Sequence, residues 1–280
     1  MHCTKFGDET SSCATINSSI IQGSGIGPSC FVLNTSDLQP SIGGNVFDKY
    51  ADDTYLIVPP TNTLKVGEEV SQIQEWAGRQ NLTLNTQKTK EMLLFRPRSK
   101  PSFVPPVIVG IQRVESIKIL GILLDSKMTF GEHAQKVVSR CAQSLYAIRT
   151  LKAHGLSGKN LWQVTESTLI SGVTYASQAW WGMLDSSHLQ RLESMINKII
   201  KQGYLQAEHP TFTQICKDAD DKLFQAVLSH KHHVLHHLLP LIKETGHVLR
   251  TRAHNREIPA VKLSTLRKTF LYRMLYLNSY

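Results

Sequence analysis

Residues 46–58 decide the fold, and they read Val46-Phe47-Asp48-Lys49-Tyr50-Ala51-Asp52-Asp53-Thr54-Tyr55-Leu56-Ile57-Val58. Turn-prone acids between two β-favouring runs predict a hairpin with Asp52 and Asp53 at its tip. Adjacent carboxylates repel each other, so a cation that neutralises them stabilises the pair. Magnesium does this with hard oxygen ligands and keeps water or substrate phosphates in its other positions. For the pair taken alone, a solvated Asp-Asp turn remains the alternative.

A glycine-rich loop upstream of this hairpin forms a second candidate site. We predict a strand over residues 14–21, a loop over 22–28 and an apolar segment over 30–33. Glycine allows a ligand to approach the backbone closely, and Gln22 offers both a donor and an acceptor. A simple glycine turn is the alternative. A dinucleotide fingerprint is disfavoured, because the glycines are spaced Gly-x-Gly-x-Gly and Pro28 follows.

Downstream of the hairpin the pattern becomes helical and then mixed. A helix is predicted over residues 64–79, with Glu69 off its apolar stripe, which consists of Val66, Val70, Ile73, Trp76 and Ala77. A polar turn over residues 81–90 leads to a short strand over 92–95. The proline-rich stretch 96–106 reads as a loop or linker. Residues 117–124 form an apolar strand-like run that Gly121 interrupts.

From Gly131 onward the chain is strongly helical. One stripe contains Ala134, Val137, Cys141, Leu145 and Ile148, and Lys136 and Arg140 share another face. Further helices are predicted over residues 158–183, 186–203 and 220–239. The sequence therefore predicts an α+β protein that is mostly helical in its second half.

Charge is distributed unevenly along the 280 residues, whose net charge is +9. Residues 1–60 contain two Lys/Arg and six Asp/Glu, a net of −4, so the remaining 220 carry +13. An acidic front and a basic body suit a carboxylate metal site backed by a surface for a polyanion. Charge alone leaves nucleic-acid binding open, since many basic proteins bind none.

Cysteine usage and hydropathy indicate a reducing compartment and no membrane span. The five cysteines are scattered and never form a CxxC pair, which argues against a disulfide framework or a zinc module. No N-terminal stretch resembles a secretory signal. The longest uncharged run, residues 10–36, is too polar to cross a bilayer. We expect an intracellular protein, nuclear or cytoplasmic.

Many short motifs, in order along nearly the whole chain, resemble reverse transcriptases of non-LTR retrotransposons, the long interspersed elements. They are Gln22-Gly23-Ser24-x-Ile26-Gly27-Pro28, Asp37-Leu38, Lys49-Tyr50-Ala51-Asp52-Asp53-Thr54, Trp76, Leu84-Asn85-x-x-Lys88-Thr89, Leu120-Gly121-Ile122-x-Leu124-Asp125, Phe130-x-x-His133, Leu235-x-x-Leu238-Leu239-Pro240, Leu249-Arg250-x-Arg252-x-His254 and Arg273-x-Leu275-Tyr276. One such motif is weak evidence, whereas this many in sequence is strong.

The resemblance implies a right-hand polymerase divided into three regions. Residues 1–112 would form part of the palm, an antiparallel sheet with helices. Residues 113–205 would form a thumb-like helical region, with 117–124 as the strand that grips the primer. Residues 206–280 would form a basic helical C-terminal region.

The same resemblance implies RNA-directed DNA polymerase chemistry. Asp52 and Asp53 would bind magnesium ions for nucleotidyl transfer to a DNA primer on an RNA template, from deoxynucleoside triphosphates. Gln22, Gly23, Ser24 and Tyr50 would line the nucleotide and template pocket. Lys88 would donate a proton to, or pair with, departing pyrophosphate; a solvated turn lysine is the alternative.

Two departures from the family pattern bear on activity. Ile21 stands where many members have proline. The family also uses a third aspartate upstream of the glycine loop, and only about twenty residues precede that loop here, with Asp8 in a polar context. We therefore expect a transposable-element fragment that is inactive alone. The alternatives are a non-enzymatic nucleic-acid-binding remnant and a product with no function.

Two further features of the C-terminal region invite hypotheses. The histidines of residues 230–237 could bind a metal, but the segment also reads as an ordinary amphipathic stretch. Residues 250–280 contain seven Lys/Arg and one Glu, and five of these cations (Arg250, Arg252, Arg256, Arg267 and Lys268) form the late cluster. This cluster could contact phosphates or could be a solvated face.

The polymerase interpretation makes geometric predictions. Asp52 should face a cleft with Asp53 entering the turn, and Gln22 and Gly23 should face the same cleft. The helix over residues 64–79 should pack on the sheet through its apolar stripe. The hairpin should have an unpaired edge or be covered by the N-terminal segment.

Overall fold

The computed structural model describes residues 3–15, 24–95, 103–243, 254–261 and 263–277, which form two compact units. The first unit comprises the described residues within 1–93 and 99–114. The second comprises those within 94–98 and 115–280. Helices and small sheets occur together, so the α+β prediction is confirmed.

The first unit contains three two-stranded sheets and two α-helices. Its elements are β1 (Lys5–Phe6), β2 (Glu9–Thr10), α1 (Gly27–Asn34), β3 (Val46–Tyr50), β4 (Asp53–Ile57), a 3₁₀ turn (Pro60–Lys65), α2 (Val66–Arg79), β5 (Lys90–Glu91) and β6 (Gln112–Arg113). β1–β2 and β3–β4 pair antiparallel, and β5–β6 pair parallel.

Helix α1 begins at Gly27, inside the loop predicted over residues 22–28. Pro28 lies in its first turn, where a missing backbone N–H costs nothing, and Thr35 ends the helix. The apolar segment predicted over residues 30–33 is therefore helical. Most of the strand predicted over 14–21 lies outside the described residues.

Helix α2 confirms the predicted helix but not its most buried face. Val66, Val70, Ile73 and Trp76 are only half-buried. The most buried positions are Glu69, 1% exposed, and Ala77, 5% exposed. The prediction placed Glu69 off the stripe because hydrophobicity cannot foresee a carboxylate whose hydrogen bonds are all met inside the fold.

The strand predicted over residues 92–95 is wrong, since β5 comprises Lys90–Glu91. An ion pair stabilises this earlier pairing: the Arg113 guanidinium binds the Glu91 carboxylate at 2.8 and 3.0 Å. The backbone N–H of Val114 adds a hydrogen bond to the Glu91 carbonyl. The Glu91–Arg113 ion pair therefore sets the strand register here, and the apolar residues 92–95 do not.

The second unit is a helical body with one hairpin. Its elements are β7 (Ser116–Ile119), β8 (Ile122–Asp125), α3 (Gly131–Ala153), α4 (Gly158–Thr165), a π-helical turn (Glu166–Ile170), α5 (Ser171–Thr174), α6 (Ser177–Trp180), a 3₁₀ turn (Trp181–Met183), α7 (Ser186–Lys201), α8 (Phe212–Ser229), a 3₁₀ turn (His236–Leu238), α9 (Ser264–Arg267) and α10 (Phe270–Leu277).

Residues 117–124, predicted as one strand, form the antiparallel hairpin β7–β8 instead. Leu120 and Gly121 make its two-residue turn with φ of 45° and 93°. Positive φ at both turn positions matches the right-handed twist of paired strands. Gly121, which the sequence showed as an interruption, is the signal for this turn.

Helix α3 buries the predicted stripe through Ala134, Val137, Cys141 and Ile148, which confirms that prediction. The Asp125 carboxylate organises the turn before it, accepting hydrogen bonds from Lys127, Thr129 and Phe130. Burial would raise the pKa of Asp125, but these hydrogen bonds hold it below its ordinary value.

The later helices begin and end where local chemistry dictates. The helix predicted over 158–183 breaks at Tyr175 and Ala176, the latter with φ of 47°. Helix α7 matches its prediction closely. Helix α8 begins eight residues before the predicted 220, because Thr211 caps it and Glu193 binds its first N–H groups at Phe212 and Thr213.

One core extends through most of the second unit and crosses residue 205. It includes Trp180, Leu192, Ile196 and Phe212, each fully buried. A smaller cluster contains Phe224, Met274 and Leu275. The assignment of 113–205 as thumb and 206–280 as a separate region stays a prediction. No helix in the described part of the chain is long and apolar enough to cross a membrane.

Candidate metal-binding hairpin

The two acids of the candidate site lie at the tip of the antiparallel hairpin β3–β4, as predicted. The strands pair from Val46↔Ile57 to Tyr50↔Asp53, which leaves Ala51 and Asp52 as a two-residue turn. Asp53 begins β4 and so leaves the turn, whereas the prediction had it entering the turn. The reason is the register, which pairs Asp53 with Tyr50.

The turn contains backbone strain beside the acids. Ala51 has φ of 52°, in the left-handed region that residues with a Cβ rarely adopt. Such a conformation costs about 1–2 kcal/mol and persists only where the surrounding structure enforces it. Strain of this kind is concentrated at functional turns, so it is consistent with a site here.

The carboxylates are open to solvent and available to a ligand. Asp52 and Asp53 are both exposed. The Tyr55 hydroxyl lies 3.5 Å from Oδ2 of Asp53. Asp52 receives no side-chain or backbone hydrogen bond from a residue that the structure describes. Adjacent carboxylates with free lone pairs form the hard oxygen donor set that magnesium prefers. The donor chemistry therefore fits a magnesium ion, with its other positions left to water and substrate.

Neighbouring side chains give the tip an aromatic face. Tyr50 is 64% exposed and lies opposite Asp53 in the pairing register. Val46 and Ile57, paired at the other end of the same face, are each about half exposed. Within the described residues, no third strand pairs with β3 or β4. Part of the N-terminal segment that was expected as the alternative cover lies outside those residues.

Lys49, which belongs to the motif Lys49-Tyr50-Ala51-Asp52-Asp53-Thr54, has contacts that its place in the sequence does not indicate. Its ammonium donates to the carbonyls of Thr35 at 2.7 Å and Leu38 at 2.5 Å, just beyond α1. Burial lowers the pKa of Lys49, and the nearby Asp37 carboxylate opposes that shift.

Glu69 supports the segment that leads into β3. Its carboxylate accepts hydrogen bonds from the backbone of Ser41 and Ile42 at 2.7 and 3.0 Å, from the Ser41 hydroxyl, and from Asn45 at 2.8 Å. Burial would raise the pKa of Glu69, but these hydrogen bonds lower it overall. Glu69 is thus a buried anion that fixes a loop.

Of the residues predicted to line the nucleotide and template pocket, the structure describes Ser24 and Tyr50. Gln22 and Gly23 lie outside the described residues, so the prediction that they face the same cleft as Asp52 stays a prediction. Ser24 is described: its carbonyl accepts the backbone N–H of Gly27 at 3.3 Å, immediately before α1.

Lys88 lies in an exposed turn. Its backbone N–H donates to the carbonyl of Asn85 at 3.2 Å and to Asn85 Oδ1 at 3.1 Å. Its ammonium has no hydrogen bond or ion pair with a described residue, Asp52 and Asp53 included. Its role at pyrophosphate stays a prediction.

Several histidines of residues 230–237 bind backbone groups in the last turn of α8 and just beyond it. Nδ1 of His236 contacts the Val227 carbonyl at 2.8 Å, and Nδ1 of His230 contacts the Ala226 carbonyl at 3.1 Å. His233 accepts the backbone N–H of Leu235. Among the described residues, no three His, Cys, Asp or Glu side chains are grouped to hold a metal ion.

The late basic cluster contains exposed cations and a cation that already binds a backbone carbonyl. Arg267 and Lys268 are exposed, and Arg267 lies 4.9 Å from the Tyr276 ring centre. Arg256 donates to the Pro240 carbonyl at 3.0 Å. Arg250 and Arg252 lie outside the described residues.

Comparison with known proteins places the chain near RNA-directed DNA polymerases of mobile elements. It is 26% identical over 194 residues to a probable RNA-directed DNA polymerase from transposon X-element of Drosophila melanogaster, covering 64% of this chain and 21% of the relative. It is 26% identical over 199 residues to the corresponding protein of transposon BS from the same organism, with the same coverage.

A third relative is the RNA-directed DNA polymerase from mobile element jockey of Drosophila funebris, 23% identical over 208 residues, which are 69% of this chain and 22% of the relative. These similarities confirm the resemblance to reverse transcriptases of non-LTR retrotransposons. The chain spans about a fifth of the length of the relatives it matches. No protein-family model matches it, and no solved structure does.

Proposed function

We propose that this chain is part of an RNA-directed DNA polymerase of a non-LTR retrotransposon, with its metal-binding acids at Asp52 and Asp53. The observation that carries the proposal is the exposed Asp-Asp pair at the tip of an antiparallel hairpin. The similarity to mobile-element polymerases supports it. In this proposal residues 1–112 are part of a palm, residues 113–205 a thumb-like region and residues 206–280 a basic C-terminal region.

In this proposal the hairpin binds and orients the reacting groups. Magnesium, when bound, neutralises charge on the nucleotide phosphates and lowers the pKa of the primer 3′-hydroxyl. Asp52 and Asp53 hold the ion through their carboxylates. Tyr50 presents an aromatic surface beside them, and Gln22, Gly23 and Ser24 contact the nucleotide and template. Lys88 supplies a proton or positive charge to the pyrophosphate leaving group.

Manganese binding, followed by electron paramagnetic resonance of the free ion, tests this site. Asp52→Asn and Asp53→Asn should each weaken Mn²⁺ binding to the 280-residue chain by about tenfold or more, because each removes an anionic oxygen ligand. Asp48→Asn is the matched control, since Asp48 is an exposed acid on the same hairpin outside the turn. Equal effects of all three changes would contradict a site at the turn.

The proposal also predicts how the 280-residue polypeptide behaves alone. We expect no primer extension on an RNA template with magnesium, because two carboxylates without a third hold both ions poorly. If the wild-type polypeptide synthesises DNA on an RNA template and Asp52→Ala does not, the expected inactivity is wrong, although the metal site is supported.

A second candidate function, binding of nucleic acid without catalysis, is favoured by the exposed cations of the second unit. Arg267 and Lys268 are the two exposed cations of the late basic cluster that the structure describes. Binding to an RNA–DNA duplex should weaken steeply with salt, and Arg267→Gln with Lys268→Gln should reduce the salt slope by about one per lost phosphate contact. Lys217→Gln, an exposed change on α8, is the control. A shallow salt dependence would exclude this function.

A further inference from the structure

Lys49 connects two parts of the first unit that the sequence places far apart. It lies in β3, three residues before Asp52, on the strand face opposite that of Tyr50 and Asp53. Its ammonium reaches across to the Thr35 and Leu38 carbonyls, at 2.7 and 2.5 Å. Both acceptors follow α1, so the contact fixes the hairpin near its tip to the end of that helix.

The helix end is a favourable place for this cation. Thr35 is the residue that ends α1, and α1 has no basic residue in its last turn. The last carbonyls of a helix lack intrahelical partners and carry partial negative charge. Lys49 supplies from another element the cation that the helix itself lacks.

The segment that accepts Lys49 is also fixed from its other side. Asp37 accepts hydrogen bonds from Trp76 Nε1 at 3.1 Å and from Gln80 Nε2 at 3.5 Å, at the C-terminal end of α2. Leu38 is 6% exposed. Lys49 therefore contacts a segment held by α2, and a rigid anchor transmits position better than a loose one.

The hairpin needs such an anchor. Its base is held by Asn45, buried against Glu69, and by the half-buried Phe47 and Leu56. Its tip is exposed, and no third strand pairs with it among the described residues. Lys49 provides a contact near the turn, between the hairpin and the segment that follows α1.

We infer that Lys49 is a positioning residue for the metal-binding turn. It holds Asp52 and Asp53 in place relative to α1 and to residues 24–26, the loop that precedes α1. This inference rests on the proposed function of Asp52 and Asp53. Lys49 touches neither acid and acts through the backbone of β3. Its role therefore differs from that of a ligand.

An electrostatic role and a positioning role of Lys49 predict opposite changes in cation affinity when its charge is removed. Removing a positive charge near two carboxylates strengthens cation binding if charge alone matters. Removing the tether loosens the turn and weakens binding if position matters. Changes of supporting groups around metal ligands commonly cost ten- to a hundredfold in affinity, and we expect the low end of that range, about tenfold.

Terbium luminescence measures the difference, with Tb³⁺ as the probe ion and the tyrosines of the hairpin as sensitisers. Titrations of the 280-residue chain should show Lys49→Met binding Tb³⁺ about tenfold more weakly than wild type. Lys49→Arg should restore most of the affinity, because it keeps a donor cation. Lys65→Met is the matched control: it removes an exposed lysine of the same unit that makes no hydrogen bond to α1.

The outcomes separate this inference from the function on which it rests. If wild type binds Tb³⁺, Asp52→Asn abolishes binding, and Lys49→Met binds as tightly as wild type or Lys65→Met, then positioning by Lys49 is wrong and the metal site stands. If wild type shows no binding that depends on Asp52 and Asp53, both are overturned. Should Lys49→Met lose its helical circular dichroism, Asp37→Asn replaces it. That change keeps an acceptor for Trp76 but removes the carboxylate charge that interacts with Lys49. It should therefore weaken Tb³⁺ binding in the same direction, and unchanged affinity would overturn the inference.

Discussion

Arg273, a residue of α10, makes an ion pair that joins this helix to the body of the second unit. Its guanidinium binds both Asp220 oxygens at 2.8 to 3.0 Å and lies 5.0 Å from the Trp181 ring centre. Trp181 donates to the same carboxylate at 2.9 Å. A Cβ on Gly182 would clash with an Arg273 nitrogen and would lie 2.7 Å from the Lys268 carbonyl, so only glycine fits there.

Removal of this ion pair should destabilise the second unit strongly. Arg273→Met leaves Asp220, 2% exposed, as an unpaired buried charge, so we expect the free energy of unfolding to fall by about 3–5 kcal/mol. Urea unfolding followed by tryptophan fluorescence measures this change. Arg267→Met, an exposed arginine beside Tyr276, should cost less than about 1 kcal/mol. Equal losses for the two variants would contradict a structural role specific to Arg273.

His133 is a buried histidine whose charge state affects stability. Its Nδ1 accepts the backbone N–H of Leu123 at 3.3 Å, and its ring lies 4.9 Å from Trp180 in an edge-to-face contact. Burial lowers the pKa of His133 below 6.5, and Arg140 and Lys136 add to that shift. The folded protein therefore keeps this imidazole neutral.

The pH dependence of stability follows from that shift. Because the unfolded chain binds the proton more tightly, the contribution of His133 is complete above pH 6.5. It is lost as the pH falls below 6.5 towards the lower folded-state pKa. Urea midpoints between pH 8 and pH 5 should fall more for wild type than for His133→Gln, which does not titrate. Parallel curves for the two proteins would rule out this linkage.

At the scale of elements, the turn of β7–β8 is a place where one substitution should raise stability and another should lower it. Leu120, 41% exposed, adopts φ of 45°, which costs a residue with a branched side chain about 1–2 kcal/mol. Its carbonyl accepts the Tyr175 hydroxyl at 3.2 Å, a contact that needs only its backbone.

Leu120→Asn should therefore stabilise the second unit by about 0.5–1 kcal/mol, since asparagine tolerates this conformation. Gly121→Ala should destabilise it by more than about 1 kcal/mol, because its φ is 93° and a Cβ would lie 3.3 Å from the Tyr175 ring. Thermal and urea unfolding of both variants check these signs. A stabilising Gly121→Ala would show that the turn relaxes.

Sequence reasoning succeeded for elements whose pattern is local. The hairpin β3–β4, helix α2 and the α3 stripe follow from acids between strands and from helical spacing. It failed where a side chain acts at long range, because no pattern rule connects a pair such as Glu91 and Arg113, which are twenty-two residues apart. The start of α8 was missed although Thr211, which accepts the backbone N–H of Gln214, is a local N-cap signal. Glu193, on another helix, adds acceptors that no local pattern shows.

At the scale of the whole molecule, the sequence predicts the two acids of the candidate site but not the residues that hold them in position. Asp52 and Asp53 are visible in the sequence because adjacent acids between strands are unusual. Lys49 and Glu69 act through contacts with Thr35, Leu38 and the loop at Ser41, and no spacing rule predicts those contacts. The roles of Gln22 and Gly23 stay predictions.

The most direct measurement of the central claim is an anomalous difference map from crystals of the 280-residue chain grown with Mn²⁺. We expect a manganese peak at the turn between β3 and β4, within about 2.1 Å of carboxylate oxygens of Asp52 and Asp53. The peak should disappear in Asp52→Asn crystals. A map with manganese elsewhere and none at this turn would contradict the assignment of the hairpin as the metal site of a polymerase.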